Sequence, residues 1–164
     1  AKNFCYDNYL NIRSLETADN IREQLKRTFE RLEIKMESTD IHSRDYFVNI
    51  RKCLVAGYFM QVCHLEPSGV YSTTRDGQMI ALHPSTGLQH KPEWVLYHEF
   101  VLTSKNFMRT CTQVRGDWLV EIAPRYYQPE DMPKSEARKQ IQNIITRRTQ
   151  TGATEGAGLP RRFS

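Results

Sequence analysis

The hydrophobic period changes at "EPSG" (residues 66–69), and any fold must accommodate that change. Before it, Ile12, Leu15, Ala18, Ile21, Leu25, Phe29 and Leu32 recur every three or four positions among Arg, Glu and Lys. Side chains at that spacing share one face of a helix, so an amphipathic helix with one buried stripe is predicted over residues 12–34. "MESTDIHS" then breaks the pattern. A second helix is expected from Arg44 to His64, with Ser43 as its cap. Its sequence, "YFVNIRKCLVAGYFMQVC", is apolar almost all round, as the central helix of a small bundle would be. Gly57 inside it costs about 1 kcal/mol relative to Ala, which predicts that another backbone packs closely there.

After "EPSG" the period is two. "VYSTT" (70–74) and "MIALH" (79–83) flank "RDGQ", whose Asp-Gly pair is a strong hairpin signal. "PSTGLQHKP" reads as a loop. "EWVLYHEFVLT" (93–103) and "FMRTCTQV" (107–114) form a second, longer hairpin around "SKN". "GDWLVEIAP" reads as a short closing helix that ends at Pro124. Strands in meandering order with a helical cap predict a small open barrel, either of the oligonucleotide-binding (OB) type or SH3-like. Ile141, Ile144 and Ile145 support one more short helix over 134–149. The end, "GATEGAGLPRRFS", has the composition of a disordered tail.

A chain of 164 residues can bury a core without staples. Its apolar runs fall short of the roughly 20 residues that span a bilayer, and no signal peptide is evident. A soluble chain of the cytoplasm or nucleus, away from membranes, is expected. Cys5, Cys53, Cys63 and Cys111 form no CxxC pair and read as reduced core thiols. The chain opens on Ala1, and Phe4, Cys5 and Tyr6 are already core-type residues, so a segment of a longer polypeptide is expected. The net charge is +4, but residues 132–164 carry seven Lys/Arg against two Glu, which leaves residues 1–131 at −1. Any nucleic-acid site on the body must therefore be a local patch.

Catalytic patterns are missing from the sequence. "GATEGAG" is followed by no Gly-Lys-Ser/Thr and preceded by no apolar strand, so it reads as linker and not as a phosphate loop. There is no GxSxG elbow. His42, His64, His83, His90 and His98 show neither HExxH nor zinc spacing. His98 and Glu99 are strand neighbours and point to opposite faces. The expectation is a chain with no active site of its own.

Four stretches carry a family likeness: "CYDNYLNIRSLETADNIREQL", "STDIHSRDYFVNIRKCLVAGYFMQVCHLE", "LHPSTGLQHKPEWVLYHEFVLTSKNFMRTCT" and "WLVEIAPRYY". From about Phe4 to Tyr127 the chain resembles the C-terminal region of the DEAH-box RNA helicases of pre-mRNA splicing. "LVAGYFMQVCHLE" and "HKPEWVLYHEFVLT" are most similar to the member that disassembles spliceosomes and also serves ribosome biogenesis. The resemblance implies an α+β chain: residues 1–65 as the helical end of a ratchet domain, 66–128 as a five-stranded OB-fold barrel, and 129–164 as a C-terminal helix with a flexible basic tail. It also implies a nuclear location, with the nucleolus and cytoplasm as further sites. ATP and magnesium would bind RecA-like motor domains that this chain lacks. Its partners would be single-stranded RNA, those motor domains and glycine-rich G-patch activator proteins.

The candidate RNA contacts centre on "VLTSKNFMRT". Lys105 and Arg109 flank a hairpin tip, with Thr103, Ser104 and Thr110 placed to donate to phosphate oxygens, and no acid occurs from Phe100 to Gly116. His83 and Ser85 of "LHPS" and Lys91 join them through the family motif. Tyr97 and Phe107 are stacking candidates, although at least one is expected in the core. Exposed hairpin tips also carry Lys and Ser for solubility alone. The competing role is a protein-interaction module that docks activators or motor domains.

Overall fold

Two helices open the chain: α1 (Lys2–Asp7) and α2 (Ile12–Arg31). The computed structural model describes residues 2–103 and 105–156, with side chains through Thr151. These fall into two compact units, divided between Ile41 and His42. Asn11 caps α2 by accepting from the Ser14 amide at 3.2 Å. The helix ends in a Schellman turn, with the Ile34 amide donating to Phe29 O and the Glu33 amide to Glu30 O, while Glu33 sits at φ 55°. Contrary to the expected buried stripe, Leu15, Ile21, Leu25 and Phe29 of α2 are exposed, as are Phe4 and Tyr6.

In the second unit the predicted long helix is cut short. It runs only over α3 (Tyr46–Tyr58), and Val62–Leu65 is strand β1, so the barrel begins inside the segment read as helical. The local run "MQVCHL" is apolar enough for either state. Pairing decides it, because β1 is hydrogen-bonded on both edges. Ser43 accepts from the Asp45 amide at 3.2 Å and orders the turn before the helix, but the cap position is Asp45. Gly57 has open space where a Cβ would stand, so no backbone packs against it. Nor is α3 the centre of a bundle: it lies on one side against later elements, with Phe47 and Ile50 exposed.

The strands β2 (Tyr71–Thr73), β3 (Met79–Leu82), β4 (Trp94–Leu102) and β5 (Asn106–Val114) complete a closed barrel in the order β1-β2-β3-β5-β4. Both predicted hairpins form. The first turn uses Gly77 at φ 64° and a Gln78 amide bond to Thr73 Oγ1 at 2.9 Å. The order is not a pure meander, because β3 crosses to pair in parallel with β5, and the barrel is of the OB type. After it come α4 (Gly116–Ile122), a 3-10 turn at Pro129–Asp131, and α5 (Glu136–Gly156). The last helix extends into the segment read as linker, and the remaining tail lies outside the described residues.

Two cores result. Inside the barrel Cys63, Tyr71, Ile80, Val95 and Met108 pack together. The Tyr71 hydroxyl donates to Pro92 O at 2.8 Å, and burial pushes its pKa up to about 12. Outside the barrel, Val62, Trp94, Leu96 and Val114 meet Val55 of α3, Trp118 and Leu119 of α4, and Ile141 and Ile144 of α5. Of the cysteines read as core, Cys5 and Cys63 are buried and Cys111 is half-buried, but Cys53 lies exposed on α3. The three helices are also joined by charge: Glu121 of α4 accepts from Lys52 of α3 at 2.8 Å and from Arg148 of α5 at 3.5 Å. The basic residues of α5 are thus partly structural.

Ile141→Ala should lower stability by about 2–5 kcal/mol in urea unfolding, since Ile141 is fully buried between α5 and the barrel wall. A loss below 1 kcal/mol would mean that α5 is not part of the core. The Lys52 hydrogen bond, then the Lys52 and Arg148 charges, hold the Glu121 carboxyl below the usual carboxylate range. A depressed carboxylate stabilises above its unfolded pKa, and that contribution disappears as pH falls through the folded one. Glu121→Gln should therefore cost under about 1 kcal/mol at pH 7, with the difference from wild type closing below about pH 4. A difference independent of pH would assign the effect to packing.

Candidate nucleic-acid interface

The parallel pair of β3 and β5 sets Ala81 against Phe107 and Leu82 against Met108, and the His83 amide extends it by donating to Met108 O at 3.0 Å. Pro84 has no amide to continue the ladder, so the chain turns there. The Ser85 amide donates to His83 Nδ1 at 3.1 Å, and Ser85 Oγ lies 2.7 Å from the same nitrogen. An amide can only donate, so Nδ1 is an acceptor and the neutral ring carries its proton on Nε2. That ring stands edge-on to Phe107, with centroids 5.6 Å apart. "HPS" is therefore a rigid turn that seats His83 on Phe107.

Along β5, Phe107 and Arg109 alternate and so share one face, with Met108 between them buried in the barrel, and Lys105 stands in the tip turn immediately before the strand. This gives a basic, aromatic, basic stripe with His83 at its centre. At the tip, Thr103 Oγ1 donates to Lys105 O at 2.9 Å and the Thr103 amide to the same oxygen at 3.1 Å. The Thr103 hydroxyl proton is spent on the turn and is not a phosphate donor. Lys105 is exposed. Ser104 lies outside the described residues.

The acid-free stretch finds its acid on the neighbouring strand. Glu99 is in register with Arg109, and their Oε2 and Nη1 are 3.5 Å apart, with both side chains about half exposed. Such a pair contributes about 0–1 kcal/mol, so it dampens the Arg109 charge without locking it away. Thr110 has φ 53°, the left-handed region that a β-branched residue avoids. The β4–β5 ladder skips the pair of Thr110 and His98. Across that kink Met108 and Cys111, three positions apart, both face the barrel core, so Arg109 and Thr110 are consecutive and both exposed.

Lys91 does not join this face. It precedes β4 while Lys105 follows it, which sets roughly 26 Å of strand between them. Its Nζ donates to Gly69 O at 2.7 Å. Tyr97 packs on the barrel core, and burial pushes its hydroxyl up to about 12, whereas Phe107 is half-buried at the surface. Sequence reasoning missed Glu99 as the counter-charge of Arg109; equal offsets from the "SKN" tip would have revealed it. Burial also raises the thiols, Cys63 above the usual range and Cys111 to about 11, so neither is a thiolate nucleophile at neutral pH. Among the described residues no cluster of His, Cys, Asp or Glu suits a metal ion, and no helix is long and apolar enough to cross a membrane.

The left-handed backbone at Thr110 costs roughly 1–2 kcal/mol, which glycine would not incur. Thr110→Gly should keep or raise the melting temperature, against the usual loss for glycine in a strand. A fall of several degrees would mean that Thr110 is not held in that conformation.

Residues 50–126 match the family model of the oligonucleotide/oligosaccharide-binding (OB)-fold. The matched stretch runs from within α3, through all five strands and α4, to Tyr126. That family match and the strand order agree, and this part of the chain is an OB-fold domain.

Proposed function

We propose that this chain is the RNA-binding accessory region of an ATP-dependent DEAH-box RNA helicase and helps to hold single-stranded RNA while separate RecA-like motor domains, with ATP and magnesium, do the work. The observation that carries this reading is Lys105 at the hairpin tip followed by Phe107 and Arg109 on one face of β5 with His83 against Phe107, on a barrel whose family match is to the oligonucleotide/oligosaccharide-binding (OB)-fold. OB-folds bind single strands by combining backbone charge with aromatic faces on which bases stack. The family likeness in "HPS" and "PEWVLYHEFVLT" supports the helicase context. It extends the proposal to pre-mRNA splicing, spliceosome disassembly and ribosome biogenesis in the nucleus, with G-patch proteins as activators.

A second reading, docking onto activators or motor domains, draws on exposed apolar residues of the same hairpin and of the adjoining start of β3. Leu102 is 76 % exposed, and Met79 and Phe100 are also open to solvent. Salt dependence distinguishes the two, because only phosphate contacts release counterions.

The decisive measurement is RNA affinity of the parent helicase across a salt series. Each neutralised phosphate on a single strand contributes roughly 0.7 to the slope of log affinity against log salt. Lys105→Ala with Arg109→Ala should flatten the slope by about 1.4, equally for RNAs of different sequence, and lower RNA-stimulated ATPase while the basal rate stays unchanged. An unchanged slope with unchanged melting would make the pair a solvated tip and favour the docking reading.

A further inference from the structure

Away from the stripe, β1 carries a buried histidine, His64. It is 2 % exposed on β1, packed on the Trp94 ring at 4.5 Å, and neither ring nitrogen has a hydrogen-bond partner. Glu66 Oε1 lies 3.5 Å from Nδ1, and Glu93 Oε1 lies 3.5 Å from Nε2 on the opposite edge. Glu66 Oε1 is itself buried without a partner. These groups line an open recess of about 530 Å³, which Glu136 and Gln140 of α5 complete.

The atoms nearest both ring nitrogens are carboxylate oxygens, and the one amide donor lining the recess, Gln140 Nε2, is spent on Glu136 Oε1 at 3.1 Å. A neutral imidazole has one N–H, so one of its nitrogens always presents a lone pair towards a carboxylate. Cations nearby are committed elsewhere: Lys91 to Gly69 O at 2.7 Å, and Lys139 to Glu136 at 3.1 Å. A single metal ion does not fit, because Glu66 and Glu93 sit on opposite edges of the ring. What the recess lacks is a donor with no acceptor of its own. A guanidinium meets that description, with five N–H groups in a plane, a bidentate match to a carboxylate and a lower desolvation cost than an ammonium.

We propose that this recess binds an arginine side chain presented by a partner polypeptide, paired with the exposed carboxylate of Glu93 on the Nε2 edge of His64. The site is at the far end of β4 from the Lys105 stripe and does not depend on RNA binding.

The test is an NMR titration of the full chain, labelled at histidine and tryptophan nitrogens, with N-acetyl-arginine-methylamide as the probe. Saturable shifts of the His64 ring and the Trp94 indole are expected. The lysine analogue should bind more weakly, and Glu93→Gln should weaken the arginine probe about tenfold, the loss of one charge-assisted hydrogen bond. The Glu93 side chain is 60 % exposed, so this variant keeps the fold, and it decides the matter even if Glu66→Gln does not fold. Four results would overturn the proposal: no saturable shift, equal binding of the lysine probe, an unaffected Glu93→Gln variant, or nitrogen shifts showing both His64 nitrogens protonated before any probe is added.

Discussion

Barrel closure depends on four residues, Val62–Leu65, whose backbone is shared between β2 on one edge and β4 on the other. Without that double pairing the sheet would have two open edges, and no interior would exist for Tyr71, Ile80, Val95 and Met108. Closure also fixes sidedness. Cys63 points inward, while Val62 and His64 point outward, Val62 to the helical layer and His64 to Glu66 and Glu93. One strand therefore connects the barrel interior, the outer core and the acidic recess.

The outer core gives the helices their role. Trp94, Leu96 and Val114 form an apolar wall at the start of β4 and the end of β5, and α3, α4 and α5 cover it. In the other half of the same long hairpin β4 is mostly exposed from His98 onward, with Val101 half-buried, while Met108 of β5 still faces the barrel core. The Thr110 kink separates the two halves. On one side the hairpin serves the core, and on the other it projects Lys105, Phe107 and Arg109 as a surface. A site so built combines a rigid scaffold with an exposed tip, the usual division of labour between element and loop.

Charge is distributed along similar lines. The basic excess of the C-terminal region looks in the sequence like a solvated tail, yet Arg148 reaches Glu121, and Lys139 is paired on its own helix. Across the barrel, Glu99 tempers Arg109 and leaves Lys105 as the more open cation of the stripe. The positive potential of this face thus rests on a local arrangement and not on net charge.

Local signals in the sequence determined the elements whose formation is local: the 3.6-residue period of α2, the Asp-Gly turn between β2 and β3, the long β4–β5 hairpin, and the helices at Gly116 and around Ile141. They also located Lys105, Arg109 and His83, because a hairpin tip and a His-Pro-Ser turn are written in consecutive residues. Tertiary structure decided what depends on distant partners. "VCHL" became a strand because two other strands were there to bond it, and that change turned "HLE" from a helix end into His64 and Glu66 on one face. The crossover of β3 to β5 and the Lys91 bond to Gly69 O follow from the same cause. Hydrogen bonding between strands is non-local, so a single strand's sequence specifies its faces but not its neighbours.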